Sequence, residues 1–492
     1  MFKKILISSI SSILLSATAQ AAITSGQLIA IGSLNGSTAG VNADLSGLTN
    51  TLENGVAANF LGGMGSGLAY AGGNSFIATP DRGPNATVYN SAIDDTTSYI
   101  SRFHTISMDL VANTSGSGLA YNLTPTLNAT TLLSSSTALN YGSGVDLGNK
   151  IGGVTPIGSG APDLNATNNT YYFTGRSDNY GSANPITGIA DSTSANPSNG
   201  RFDPEGVRVS NDGLSVFVSD EYGPYVNQFN RITGERIKSF ALPSNLAVAN
   251  LSPVGAVEIF NNTSNGRVTN KGMEGLAITP DGTKLVGVMQ AALGQDGGKS
   301  VRIVTIDIES GSTNEYAYKL TTGSGVSEII AINNHEFLID ERDGKGLGDG
   351  TTAVVKQLYK IDLAGATDVS SLTGSVDLGN AAVTKTLFLD VVTELNAHGI
   401  TSANVPAKIE AMAFGPDITD NGALFHTLYV ANDNDFIPGV AGDNQFYVFA
   451  IADTALNYQA QQISAVPVPA AVWLFGTGII SLFGFARQRK TV

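Results

Sequence analysis

One short unit recurs along the chain and limits its fold more than any other feature. In "FDPEGVRVSNDGLSVFVSDEYGPYV" (202–226) the pair Glu205-Gly206 opens an apolar strand, a turn follows at Asn211-Asp212-Gly213, and a second strand ends on Asp220-Glu221. "NKGMEGLAITPDGTKLVGVMQ" (270–290) repeats the unit with Glu274-Gly275 and the turn Pro280-Asp281-Gly282. "GSGLAYAGGNSFIATPDRGPN" (65–85) lacks the glutamate, keeps both strands and ends at Asp81-Arg82-Gly83. "VSEIIAINNHEFLIDERDG" (326–344) has Glu328, then Asp340-Glu341-Arg342-Asp343. "AKIEAMAFGPDITDNGALFHTLYVANDND" (407–435) has Glu410 and ends in Asn432-Asp433-Asn434-Asp435. Irregularly spaced copies of one sheet unit point to an all-β fold, a β-propeller.

Further alternating runs supply outer strands: 300–308, 353–363 and 444–451. Residues 111–200 are rich in Ser, Thr, Asn and Gly and read as one irregular blade with long loops, which brings the expectation to six blades. Residues 23–60 complete a blade or wrap the outside. One helix is expected over 384–400, where Leu387, Val391 and Leu395 share a face and Gly399 suits a C-terminal cap.

A propeller gathers equivalent strand ends around one axis. Glu205, Glu274, Glu328 and Glu410 hold one repeat position, and Asp81, Asp220, Glu221, Asp340, Glu341 and Asp433 fall at another. One or both sets therefore form a carboxylate ring able to hold a cation. A structural reading stands beside this one: the glutamates cap or bridge blades, and Asp212 and Asp281 serve only their hairpin turns.

Charge and composition exclude several functions. The formal charge of the 492-residue chain is −15, and five of its 26 basic residues lie in the terminal tails (Lys3, Lys4, Arg487, Arg489, Lys490). Such an acidic body repels nucleic acid. There is no cysteine, which removes disulfides, thiolate zinc sites and cysteine nucleophiles. No Gly-x-Ser-x-Gly stretch marks a nucleophile elbow, and the four histidines (His104, His335, His398, His426) are scattered.

Both ends read as addresses. Residues 1–21 run from Lys3 and Lys4 through an apolar, serine-rich stretch to Ala19-Gln20-Ala21, the order of a secretory signal cut by signal peptidase. Residues 466–492 begin Val-Pro-Val-Pro, continue without charge to Ala486 and end on Arg487, Arg489 and Lys490, long enough to form a transmembrane helix. This order resembles the PEP-CTERM sorting signal of Gram-negative bacteria. The resemblance implies recognition by an exosortase, transient anchoring in the inner membrane, and delivery to the surface or an extracellular matrix. Residues 22–465 between the two form the propeller.

The ordered pieces "TPDRGPN", "FDPEGVRVS", "VSDEYGPY", "NKGMEGLAITPDG", "LIDERDG" and "IEAMAFGPD" resemble the phytase-like family with esterase-like activity, from about residue 60 to residue 451. The resemblance implies calcium binding and phosphomonoester hydrolysis. Calcium takes six to eight oxygen ligands, which carboxylates supply. Arg82, Lys271 and Arg342 each adjoin a repeat carboxylate and are the candidates for holding ester oxygens. Two other functions remain open: a calcium-stabilised, non-catalytic propeller that binds an extracellular polysaccharide or protein, and a lactonase in which one cation polarises a carbonyl.

Overall fold

The computed structural model describes residues 22–34, 43–52, 54–84, 97–139, 169–175, 198–250, 260, 262 and 264–464. Residues 1–21 and 466–492, expected to be a secretory signal and a sorting segment, lie outside the described residues. Among the described residues, no helix is long and apolar enough to cross a membrane.

Among the described residues, twenty-one strands form five antiparallel sheets, four of them four-stranded and one carrying a short fifth strand. Blade I comprises β2 (Gly67–Tyr70), β3 (Ser75–Thr79), β4 (Arg102–Ala112) and β5 (Tyr121–Leu132). A two-stranded ribbon, β6 (Ser134–Ser135) with β7 (Tyr171–Tyr172), leads to blade II: β8 (Pro204–Val209), β9 (Ser215–Asp220), β10 (Tyr225–Asn230) and β11 (Arg236–Ala241). Blade III holds β12 (Met273–Ile278), β13 (Lys284–Met289), β14 (Ser300–Asp307) and β15 (Thr313–Lys319). Blade IV holds β16 (Gly325–Ala331), β17 (Glu336–Arg342), β18 (Lys356–Asp362) and β19 (Lys385–Asp390), with helix α1 (Ser375–Ala381) between the last two. Helix α2 (Val391–Ala397) follows β19. Blade V takes β20 (Ile409–Phe414), β22 (Ala423–Asn432) and β23 (Asn444–Ala452), with a short β21 (Ile418–Asp420) on β22. Its outer strand is β1 (Gln27–Leu34), the first of the chain, paired with β23 from Gln27↔Ala450 to Leu34↔Asn444.

The ring closes because each inner strand touches the next, in the order β2, β8, β12, β16, β20 and back to β2. Apolar residues of neighbouring sheets fill the wedges between blades. Phe217, Val288, Ile303 and Ile329 belong to the cluster joining blades II to IV, and Leu358, Met412 and Phe449 to that joining IV and V. Phe76, Ala411 and Val448 join V to I, and Ile77, Phe103, Val207 and Phe229 join I to II. The turns behave as their residues dictate. Asp212 Oδ1 accepts from Leu214 N at 2.9 Å, Asp281 Oδ1 accepts from Thr283 N at 3.0 Å, and the following glycines take φ of 73°.

Three expectations are corrected. The described residues form five blades, not six, and residues 102–132 supply the outer half of blade I. The alternating, half-exposed β5 is an edge strand, which explains its polar composition. The helix over 384–400 is a strand followed by a shorter helix. Leu387 lies on edge strand β19 and is 49% exposed, and Asp390 stops the strand by capping α2 through Thr393 N at 2.9 Å.

The inner strands meet at backbone distance. A Cβ on Gly67 would stand 2.3 Å from Glu205 O, one on Gly206 2.4 Å from Leu276 N, and one on Gly275 2.7 Å from Glu328 Cα. These glycines share one repeat position, and each abuts the next blade. Gly275→Val should therefore cost at least about 1–3 kcal/mol, read as a lowered thermal midpoint. Gly439→Ala, which meets nothing within 4 Å, should leave the midpoint unchanged.

Candidate functional site

A bulge aims the repeat glutamates. Register slips between Pro204 and Val207, Met273 and Gly275, Val326 and Glu328, and Ile409 and Ala411, where four of the five inner strands begin. A bulge inserts an extra residue and re-aims its side chain. In blade I, β2 pairs without a slip, and Ser66 stands where the other blades have glutamate. The second strands run back to the same end of the channel. Asp81, Glu221, Gln290 and Asp433 therefore arrive beside the bulges.

The result is a mouth crowded with acids. Asp81, Asp203, Glu205, Glu221, Glu274, Asp340, Glu410 and Asp433 are buried, and Asp435 is half-buried. Oxygens of Asp203, Glu205 and Glu221 lie within 4.8 Å of one another, and so do those of Asp81, Asp433 and Asp435. Three cations interleave. Arg82 Nη1 is 2.6 Å from Asp203 Oδ2, 3.5 Å from Glu221 Oε2 and 2.6 Å from Asn270 Oδ1. Arg342 Nη2 donates to Glu410 and lies 3.7 Å from Glu274 Oε1. Lys408 Nζ reaches Asp433 Oδ2 at 3.0 Å and Asp435 Oδ1 at 2.5 Å.

Nine carboxylates face three cations. At an effective dielectric of about 20, each pair of like charges about 4.8 Å apart costs about 3 kcal/mol. A fully ionised, uncompensated mouth would consume most of the ~5–15 kcal/mol that holds a domain together. The acids therefore keep protons or share a cation. Burial, then the neighbouring Glu410, pushes Glu274 up to about 8. Burial raises Asp433 to about 7 against the pull of Lys408, and Asp340 to about 7 against Arg342 and Lys356. Glu205 and Glu221 are held well above the usual range by burial and by Glu274, and Asp81 by burial and Asp433.

The residues singled out from the sequence do not all meet here. Asp81, Glu205, Glu221, Glu274, Asp340, Glu410, Asp433, Arg82 and Arg342 do. Asp220 lies just beneath, its Oδ1 accepting from Asp203 N at 3.1 Å and Tyr222 N at 2.9 Å. Glu328 turns into the channel, where Oε1 accepts from Leu276 N at 3.0 Å and Oε2 pairs with Arg208 Nη2 at 3.0 Å. Glu341 points between blades. Its Oε1 takes the amides of Thr321, Thr322 and Gly323 at 2.8, 2.9 and 2.8 Å, and Oε2 faces Tyr318 and Lys385. Lys271 is exposed, outside the cluster.

Asp203, Lys408 and Asp435 were missed. Asp203 and Lys408 stand two residues before a repeat glutamate and Asp435 two after Asp433, a spacing that in extended chain returns a side chain to the same face. Arg208 stands where the other inner strands have Ala69, Ala277, Ala331 and Ala413. It lines a separate cavity of about 350 Å³ with Tyr70, Phe414 and Tyr458. None of the mouth's carboxylates lines that cavity.

The donor set fits a metal ion. Glu221 Oε1, Glu274 Oε2 and both oxygens of Asp340 are buried without a hydrogen-bond partner, a costly state that a cation relieves. All are hard oxygen donors. The raised values predict a pH signature. Without a cation, the folded chain binds more protons than the unfolded one between about pH 4 and 8, so stability falls as pH rises through that window. The thermal midpoint in chelator should be several degrees lower at pH 8 than at pH 5, and a divalent cation should restore it at pH 8. An unchanged midpoint across that window would contradict the assignment.

An uncharacterized secreted protein of Arthroderma benhamiae is 26% identical over 300 residues, which cover 48% of this chain and 58% of the relative's length. The structure is similar to the periplasmic gluconolactonase PpgL of Pseudomonas aeruginosa, at 12% identity over 87% of this chain and 98% of that one, with a TM-score of 0.32. It is also similar to the hydrazine synthase of Kuenenia stuttgartiensis, at 10% identity over 77% and 79%, with a TM-score of 0.27. Likenesses this distant carry no argument about activity. The family whose profile matches residues 59–436 is the phytase-like family, described by the esterase-like activity of phytase, and the chain belongs to it.

Proposed function

We propose that this protein is an exported hydrolase of phosphate esters that works with a divalent cation, calcium foremost, at the acid mouth. One observation carries the reading: buried, partnerless carboxylate oxygens stand beside three cationic side chains at one end of the channel. Asp203, Glu205 and Glu221 would hold the ion. A bound cation supplies positive charge for the ester's oxygens and acidifies a water. The guanidinium groups of Arg82 and Arg342 offer paired donors that match phosphate geometry. Lys408, with 32% of its side chain exposed, adds a point charge at the rim. Glu274, which holds its proton to about pH 8, is suited to pass a proton to a leaving oxygen. The mouth's acids would repel a phosphate ester by themselves, so the reading requires the cation.

Export belongs to the same reading. The charge order of residues 1–21 supports it, as does the secreted relative. The uncharged run and basic end of residues 466–492 support sorting by an exosortase to the cell surface. The acidic body disfavours nucleic acid as a partner.

The test is hydrolysis of phytate, simple phosphomonoesters and lactones by the purified protein, with calcium and with chelator. Phosphate release that needs calcium is expected, and release unchanged by complete chelation would contradict the reading. Glu205→Gln should weaken calcium about tenfold or more and lower turnover with it. Glu341→Gln, which touches only the 321–323 loop, Tyr318 and Lys385, should lower the thermal midpoint and leave calcium affinity unchanged.

A further inference from the structure

The two acid triads of the mouth differ in what already fills them. In Asp203, Glu205 and Glu221, the Glu221 side chain is 2% exposed as a residue, and its Oε1 has no partner. Arg82 meets this triad through its backbone N, which donates to Asp203 Oδ1 at 2.8 Å, and through Nη1, which lies 2.6 Å from Asp203 Oδ2 and 3.5 Å from Glu221 Oε2 and is shared with Asn270. In Asp81, Asp433 and Asp435 every carboxylate is engaged. Asp81 Oδ1 accepts from Gly83 N at 3.0 Å, and Asp433 Oδ1 from Asp435 N at 2.7 Å. The remaining oxygens of the aspartate pair converge on the Lys408 ammonium, at 3.0 and 2.5 Å. The shorter of these falls within the 2.3–2.6 Å or so of a calcium–oxygen bond, and the longer is an ordinary ammonium–carboxylate contact. The ammonium thus stands where an ion bridging Asp433 and Asp435 would stand.

We propose that the mouth takes a single divalent cation, in the Asp203–Glu205–Glu221 triad, and that Lys408 is the permanent cation of the second triad and excludes a metal ion from it. The proposal rests on the reading that the mouth binds a cation, and goes further by fixing how many ions it takes and where. The physical argument is one of substitution. A tethered ammonium neutralises part of the second triad at all times, with no loss of a free ion's entropy. A divalent ion would have to displace it and then sit within bonding distance of a displaced positive charge. In the first triad the Arg82 guanidinium lies against Asp203 Oδ2 and Glu221 Oε2, and Glu221 Oε1 has no hydrogen-bond partner.

The experiment is a calorimetric calcium titration of the full-length protein, wild type against Lys408→Met. One ion per chain is expected in wild type and two in the variant. Lys408→Arg, which keeps the charge, should return the count to one. A single ion in both wild type and Lys408→Met, or two in both, would overturn the role of Lys408 while leaving a cation-binding mouth intact. No ion in any of them would overturn the cation reading itself, and the Lys408 role with it. Should Lys408→Met be too unstable to titrate, its thermal midpoint is the second readout. Calcium should raise it by more than it raises that of the wild type, and an equal rise in both would count against the proposal.

Discussion

The structure depends on the close approach of five inner strands around one axis. Gly67, Gly206 and Gly275 let the backbone of one blade lie against the next, at distances that no side chain would permit. A tight ring of five leaves little room at the centre. Four of the five inner strands then bulge at their entrance, and each bulge turns a glutamate toward the axis. Residues separated by hundreds of positions in sequence become neighbours through symmetry alone.

That convergence has an electrostatic cost. Acids drawn into a narrow, poorly solvated mouth repel one another by several kcal/mol per pair. The molecule offsets this in three ways: arginines and a lysine between the carboxylates, protons retained to about pH 7 or 8 on Asp340, Glu274 and Asp433, and capacity for a metal ion. Deeper in the channel the same conflict is resolved without a metal. Arg208 donates to the carbonyls of Leu68 and Ile329 at 2.7 and 2.9 Å and pairs with Glu328. One ion pair thereby ties three blades together. Removing either partner would leave an uncompensated buried charge. Two glutamates of the same repeat position, Glu205 and Glu328, thus diverge in role because one blade carries an arginine at a position of alanines.

Much of this was legible in the sequence. The strand–turn–strand unit names the inner half of every blade, and its glutamate and terminal acids name most of the mouth. The blade number was not legible, because residues 111–200 read as one irregular blade, whereas residues 111–132 lie in the outer half of the first. Nor was the direction of Glu341: the sequence gives its strand position, while the three amides that capture it come from a loop of the neighbouring blade. The strand–helix junction at Asp390 was hidden because Leu387, Val391 and Leu395 fit a helical face as well as they fit a strand and a helix in series. Asp203, Lys408 and Asp435 were visible as neighbours of repeat acids, but their alternation with those acids becomes meaningful only once both are on one extended face.

The central claim is that ring geometry crowds the acids of separate repeats into one mouth, and that the mouth holds a cation at the blade II triad. Its most direct test is anomalous diffraction from crystals of the protein grown with calcium and then soaked in a lanthanide. The account predicts a strong peak bounded by Asp203, Glu205 and Glu221. A mouth without a peak, with ions bound only at surface turns such as Asp343–Asp349, would contradict it.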